Sequence, residues 1–137
     1  MEKADIDVGH ILAAFHSLKK RVEHVIVEGT GGWMVPIHRD YFVSDLAVAM
    51  KLPVLAVAYN RLGCLNHAVL TVQSIRGHGL RCAGLVLNNA QETGDIAVLM
   101  NADILKRILD VPLLCGLGEN LTELPADWRL MLDSTIG

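Results

Sequence analysis

Hydrophobic and polar positions fall into alternating blocks of two periodicities along the 137 residues. From Val8 to Arg21 the apolar positions Ile11, Leu12, Phe15 and Leu18, with Val22 just beyond, recur at spacings of three and four, which predicts one face of a helix. Asp7 is placed to cap that helix, and the Lys19-Lys20-Arg21 cluster falls in its last turn, where cations suit the helix dipole. The β-branched run Val25 to Val27 then predicts a buried strand that ends on Glu28 and breaks at once into Gly29-Thr30-Gly31-Gly32. Ser44 or Asp45 signals the start of a short helix through Met50, which Leu52-Pro53 ends. Val54 to Ala58 is a second apolar strand of the buried kind, and Ala68 to Arg76 a helix closed by Gly77 and Gly79. Ala83 to Leu87 is a third strand, ending in Asn88-Asn89. Asp95 to Leu109 is a helix whose apolar side is Ile96, Leu99, Ile104, Leu105 and Ile108, and Val111 to Leu114 is a short fourth strand. Beyond it Gly116, Gly118 and Pro125 mark a loop, with a last helical turn from Trp128 to Leu132.

Strands alternating with helices at this rhythm predict an α/β fold, a mainly parallel sheet with helices on both faces, in one domain over residues 1–137. Composition sharpens that picture. The hydrophobic fraction is 52%, mean hydropathy is +0.38 and aromatics are only 4%, so the core is aliphatic and much apolar surface must be buried in the fold or in an interface. A net charge of −3 and the absence of a basic run give no electrostatic reason to expect nucleic acid or an anionic membrane as partner. Cys64, Cys82 and Cys115 are widely separated and form no Cys-x-x-Cys pair, as expected of reduced thiols in a cytoplasmic protein.

Three places offer chemistry. Glu28 is a carboxylate at the end of an apolar strand, where α/β sheets bind ligands; it suits a Mg²⁺ ligand or a capping group. The glycines after it lack the Gly-Lys-Ser/Thr ending of a phosphate-binding loop, and their spacing favours a tight turn that lets a ligand or backbone come close. Arg61 to His67 lies between a strand and a helix, so its N–H groups converge at a helix N-terminus suited to a carboxylate or phosphate, with Asn66 as the candidate cap. Asn88 is placed either to read a base edge with its amide or to shape a turn. The six histidines show no metal-ligand spacing.

Taken together, Val27-Glu28-Gly29-Thr30-Gly31-Gly32-Trp33 with Pro36, Ser44-Asp45-Leu46-Ala47, Leu52-Pro53-Val54-Leu55, Arg61-Leu62-Gly63-Cys64-Leu65-Asn66-His67-Ala68, and Ala83-Gly84 through Asn88 resemble the ATP-dependent dethiobiotin synthetases, a P-loop family. Leu62 to His67 is the most specific of these segments and argues against a cobyrinic acid diamide synthase. The resemblance implies an ATP- and Mg²⁺-dependent ligase of biotin biosynthesis that closes a ureido ring on 7,8-diaminononanoate with CO₂. It implies Glu28 as the Mg²⁺ ligand, Gly31 and Gly32 against the substrate carbamate, and Asn88 against adenine. It also implies that Gly63, Cys64, Leu65 and Asn66 hold the substrate carboxylate across a homodimer interface.

Two departures shape the expectation. The family's P-loop, with the lysine and the serine or threonine that follow it, has no counterpart here, and Leu117-Gly118 stands where the family has Ile-Pro in its adenine pocket. The chain is therefore expected to be a truncated or split synthetase, inactive alone, that pairs with its own copy or with a separate chain supplying the P-loop half. The alternative is a non-catalytic binding or assembly module that keeps the dimer and carboxylate surfaces.

Overall fold

The first helix, α1 (Val8–Lys19), begins where the sequence places it, because the Asp7 carboxylate accepts the His10 N–H at 3.0 Å. The computed structural model describes residues 6–89 and 96–117. The Asp95 helix start, Gly118, Pro125 and the turn from Trp128 to Leu132 lie outside them. The chain divides into two compact units, Met1–Leu52 and Pro53–Gly137.

In the first unit, α1 is followed by β1 (Pro36–His38), β2 (Tyr41–Phe42) and α2 (Val43–Met50). β1 and β2 form an antiparallel hairpin that the hydrophobic pattern does not announce. The His38 ring donates from Nε2 to the Ile6 carbonyl at 2.7 Å, which ties the hairpin to the entry of α1. The strand expected over Val25 to Val27 does not form: residues 24–29 are in no strand, and Ile26 is 94% exposed. A strand exists only by exchanging hydrogen bonds with a neighbour, and β1 and β2 already pair with each other.

The start of α2 also departs from expectation. Its N-cap is Phe42 rather than Ser44 or Asp45, because the Gly-rich loop itself supplies the acceptors. Val43 N–H donates to the Val35 carbonyl at 3.0 Å and Ser44 N–H to the Trp33 carbonyl at 3.1 Å. Asp45 works from inside the helix, its carboxylate accepting the Phe42 N–H at 2.7 Å. Lys51 closes the helix in the left-handed region.

The second unit is built on β3 (Val54–Tyr59), α3 (Cys64–Gly77), β4 (Cys82–Asn88), α4 (Ile96–Ile108) and β5 (Leu113–Leu117). Its three strands are parallel in the order β3-β4-β5, which is the α/β fold the pattern predicts. α3 packs on β3 and β4, while α4 packs on β5 and meets α3. Ala68, Val72 and Ile75, spaced along one stripe of α3, are buried with Leu85 and Leu87 of β4 and Leu105 of α4.

Position in the sheet sorts the strands by burial. β4 is central and buried from Cys82 to Leu87. Among the described residues β3 has a strand neighbour on one side only, so the expectation of a fully buried strand fails there: Ala56 is buried, whereas Leu55, Val57 and Tyr59 alternate outward, with Val57 64% exposed. β5 starts at Leu113, not Val111, and the Pro112 carbonyl just before it accepts the Leu85 N–H at 2.8 Å. On α4 the inward residues are Asn101 and Leu105, while Leu99 and Ile108 of the expected apolar side face out. Among the described residues no helix is long and apolar enough to cross a membrane.

Candidate functional site

In the second unit the candidate residues gather at the carboxyl ends of two adjacent strands. Tyr59, the last residue of β3, is in register with Asn88, the last of β4, and the Asn60 N–H donates to the Asn88 carbonyl at 2.9 Å. From Asn60 the chain makes a tight turn in which the Cys64 N–H returns to the Arg61 carbonyl at 3.0 Å. Gly63 stands in that turn at φ +87°, a conformation that L side chains rarely adopt. A Cβ there would meet nothing nearer than His67 Cε1 at 4.0 Å, so backbone conformation rather than space calls for glycine.

α3 starts directly from this turn at Cys64, four residues before the start at Ala68 that its pattern suggests. Its N-cap is Gly63 with no side-chain hydrogen bond, so Asn66 is not the cap; Asn66 is exposed in the first helical turn. The first intrahelical bond runs from the His67 N–H to the Gly63 carbonyl at 3.3 Å. The Leu65 and Asn66 N–H groups precede it and have no acceptor inside the helix. With the helix dipole behind them they are two donors of the kind an anion can accept from, while the Cys64 N–H is engaged in the turn itself.

Cys64 anchors the start of the helix from below. It is a buried free thiol, and burial pushes it above the ordinary thiol range although an Arg61 backbone N–H pulls the other way. A helix N-terminus often makes a cysteine reactive, but here desolvation wins and the thiol serves as packing. Cys82 is likewise buried and raised by desolvation. The Arg61 guanidinium stacks over the Tyr59 ring at 5.7 Å.

Glu28, Gly31 and Gly32 belong to the first unit, in the loop between residue 24 and β1. All three are exposed; Gly31 turns the chain at φ +76° and lies so close to Val35 that a Cβ would come within 3.0 Å of its Cγ2. This loop spends its Trp33 and Val35 carbonyls on the start of α2. Among the described residues no three His, Cys, Asp or Glu side chains come together as a metal site. Glu28 is thus one exposed carboxylate. A single hard oxygen ligand is what a protein commonly contributes to Mg²⁺ carried on nucleotide phosphates, so the donor chemistry fits that ion only together with a nucleotide.

Sequence reasoning missed two residues here. Asn60, 6% exposed, and Asn101, 4% exposed, are a buried amide pair between the end of β3 and α4. The signal was an asparagine inside the apolar stripe of α4, three and four residues from Val98 and Leu105.

A family model described as AAA domain matches residues 1–124. The chain is 42% identical over 114 residues to the ATP-dependent dethiobiotin synthetase BioD of Akkermansia muciniphila, which covers 83% of this chain and 54% of that protein. It is 44% identical over 116 residues to the enzyme of that name from Aromatoleum aromaticum, covering 82% and 50%, and 36% identical over 135 residues to that from Thermodesulfovibrio yellowstonii, covering 93% and 56%. The chain spans about half the length of the curated relatives it matches.

Proposed function

Because the chain belongs to the AAA domain family, alongside the dethiobiotin synthetases it resembles, we propose that it supplies the substrate-carboxylate and adenine-facing part of an ATP-dependent dethiobiotin synthetase. In this reading the Leu65 and Asn66 N–H groups, with Gly63, hold the carboxylate of 7,8-diaminononanoate at the start of α3. Asn88 faces adenine, Gly31 and Gly32 lie against the carbamate formed with CO₂, and Glu28 ligates a Mg²⁺ carried on ATP. When bound, ATP and Mg²⁺ supply the phosphoryl group that activates the carbamate for ring closure. The observation that carries the reading is the Arg61–Cys64 turn feeding directly into α3, which leaves two N–H groups open on an exposed surface in the segment most specific to the family.

The 137 residues contain no Gly-Lys-Ser/Thr. Without a phosphate nest and its lysine, charge developing on a transferring phosphoryl group has little to stabilise it, a deficit of several kcal/mol or about 10³-fold for each lost group. We therefore propose that turnover requires those elements from outside these 137 residues. The outward row Leu55, Val57 and Tyr59 on β3, and the apolar run over residues 25–27, which lies in no strand among the described residues, support packing against further chain of this kind. A homodimer joined at the start of α3 belongs to the same proposal. The second reading, a binding module without catalysis, draws on the same exposed surfaces.

Calorimetric titration separates the readings. Binding of 7,8-diaminononanoate together with Mg²⁺-ATP supports the synthetase role, and binding of the diamino acid alone supports the module. Binding of neither refutes both, and ring closure by these 137 residues alone refutes the need for those further elements.

A further inference from the structure

We propose that Asn101 of α4 is a positioning residue for the turn that carries the anion-binding N–H groups. The inference rests on the reading that this turn takes the substrate's carboxylate. The Arg61 carbonyl closes the turn by accepting the Cys64 N–H at 3.0 Å, and the same oxygen accepts a second bond from Asn101 Nδ2 at 3.4 Å. Asn101 Nδ2 also donates to Asn60 Oδ1 at 2.8 Å. Asn60 in turn donates from Nδ2 to Asn89 Oδ1 at 2.8 Å and to the Val98 carbonyl at 3.1 Å. Its backbone N–H holds the Asn88 carbonyl. One buried amide pair thus joins the loops after β3 and β4, the two places where ligand contacts are assigned, to the body of α4.

Hydrogen-bond polarity explains why an amide stands there. Asn101 faces two oxygens, Asn60 Oδ1 and Arg61 O, and donates to both. Leucine at 101 would leave the buried Asn60 Oδ1 without its donor and the Arg61 carbonyl with the Cys64 N–H alone, and aspartate would add a third oxygen against them. A residue serving only the core would be apolar, like Leu105 one turn further along α4. The Arg61 carbonyl and the Leu62 N–H share one rigid peptide plane, so fixing the oxygen fixes the start of the turn and the direction in which Gly63, Leu65 and Asn66 present their N–H groups. Pre-orienting such donors is what lets a neutral backbone bind an anion in competition with water.

Titration of the full chain with 7,8-diaminononanoate, followed by calorimetry and heteronuclear NMR, tests this. Asn101→Asp should weaken binding by about tenfold or more, the scale of one misdirected hydrogen bond to a charged group. Leu105→Ala, which destabilises α4 without touching the turn, should leave the affinity of the folded chain within about twofold. In the wild type the Asn101 side-chain amide resonances should shift together with the Leu65 and Asn66 N–H resonances, a readout that needs no variant to fold. Equal affinity of the Asn101→Asp and wild-type chains overturns the proposal. So do Asn101 resonances that stay still while Leu65 and Asn66 shift. A wild type that binds no diaminononanoate overturns the carboxylate reading itself, and the positioning role with it.

Discussion

Replacing Ser44 with alanine should stabilise the chain. The Ser44 side chain is fully enclosed at 0% exposure, and its Oγ has no hydrogen-bond partner among the described residues. In the unfolded chain that hydroxyl is solvated, so burying it without a partner costs about 1–3 kcal/mol. Alanine removes the group and, at the second residue of α2, is also the better helix former by roughly 0.5 kcal/mol. Opposing these terms is a void the size of one oxygen atom, which costs less than the ~1 kcal/mol typical of a lost buried methylene. The balance is a gain of about 1 kcal/mol or more. Urea denaturation at neutral pH, followed by far-ultraviolet circular dichroism, reads this gain as a higher midpoint at an unchanged slope. A loss exceeding ~0.5 kcal/mol would refute the reasoning, because it would mean that the hydroxyl carries a hydrogen bond in the folded chain.

Leu85→Ala, at a fully buried position of the central strand, should cost about 2–5 kcal/mol in the same assay, whereas Leu99→Ala, on the outer side of α4, should stay within about 0.5 kcal/mol. Gly63→Ala should cost about 1–2 kcal/mol from backbone strain alone, since the space for a methyl is open; in the dethiobiotin synthetase reading it should also weaken diaminononanoate binding, checked by titration. Burial raises Cys64 and Cys82 above the ordinary thiol value of 9.0, so the unfolded thiols ionise first as pH climbs. Stability should therefore be whole below about pH 9 and fall as pH rises through the folded values, with Tyr41, raised by burial and the Asp45 charge, extending the loss beyond 10.0. Urea midpoints measured between neutral and alkaline pH check this, and a midpoint that rises with pH would contradict the sign.

Local patterns of the chain translate into structure where the physics is local. α1 and its Asp7 cap, the apolar strand β4, the end of α4 and the glycine-marked end of α3 all follow from periodicity and capping chemistry within a few residues. The family signature at Leu62 to His67 falls on the turn and the helix start at Cys64, so the local backbone of this part of the candidate site was legible in the sequence. Where the Glu28 loop would meet a ligand was not legible, because a single carboxylate beside glycines has no local partner to define its role.

The remaining features depend on neighbours that are remote in sequence. An apolar run is enough to make β4 a central strand, yet the apolar, β-branched residues 25–27 form no strand among the described residues, because a strand is stabilised across its ladder and not along its own chain. Burial on β3 alternates only because it stands at the edge of the described sheet. α2 begins at Val43 because carbonyls of the Gly-rich loop reach its first N–H groups. Asn101 turns inward while Leu99 turns out, since the oxygens of Asn60 and Arg61, some forty residues earlier in the chain, require a donor at that point. Periodicity and capping therefore determine which segments coil or extend, while pairing partners and the matching of buried donors to acceptors decide which of those segments form a sheet and which face of α4 meets the site.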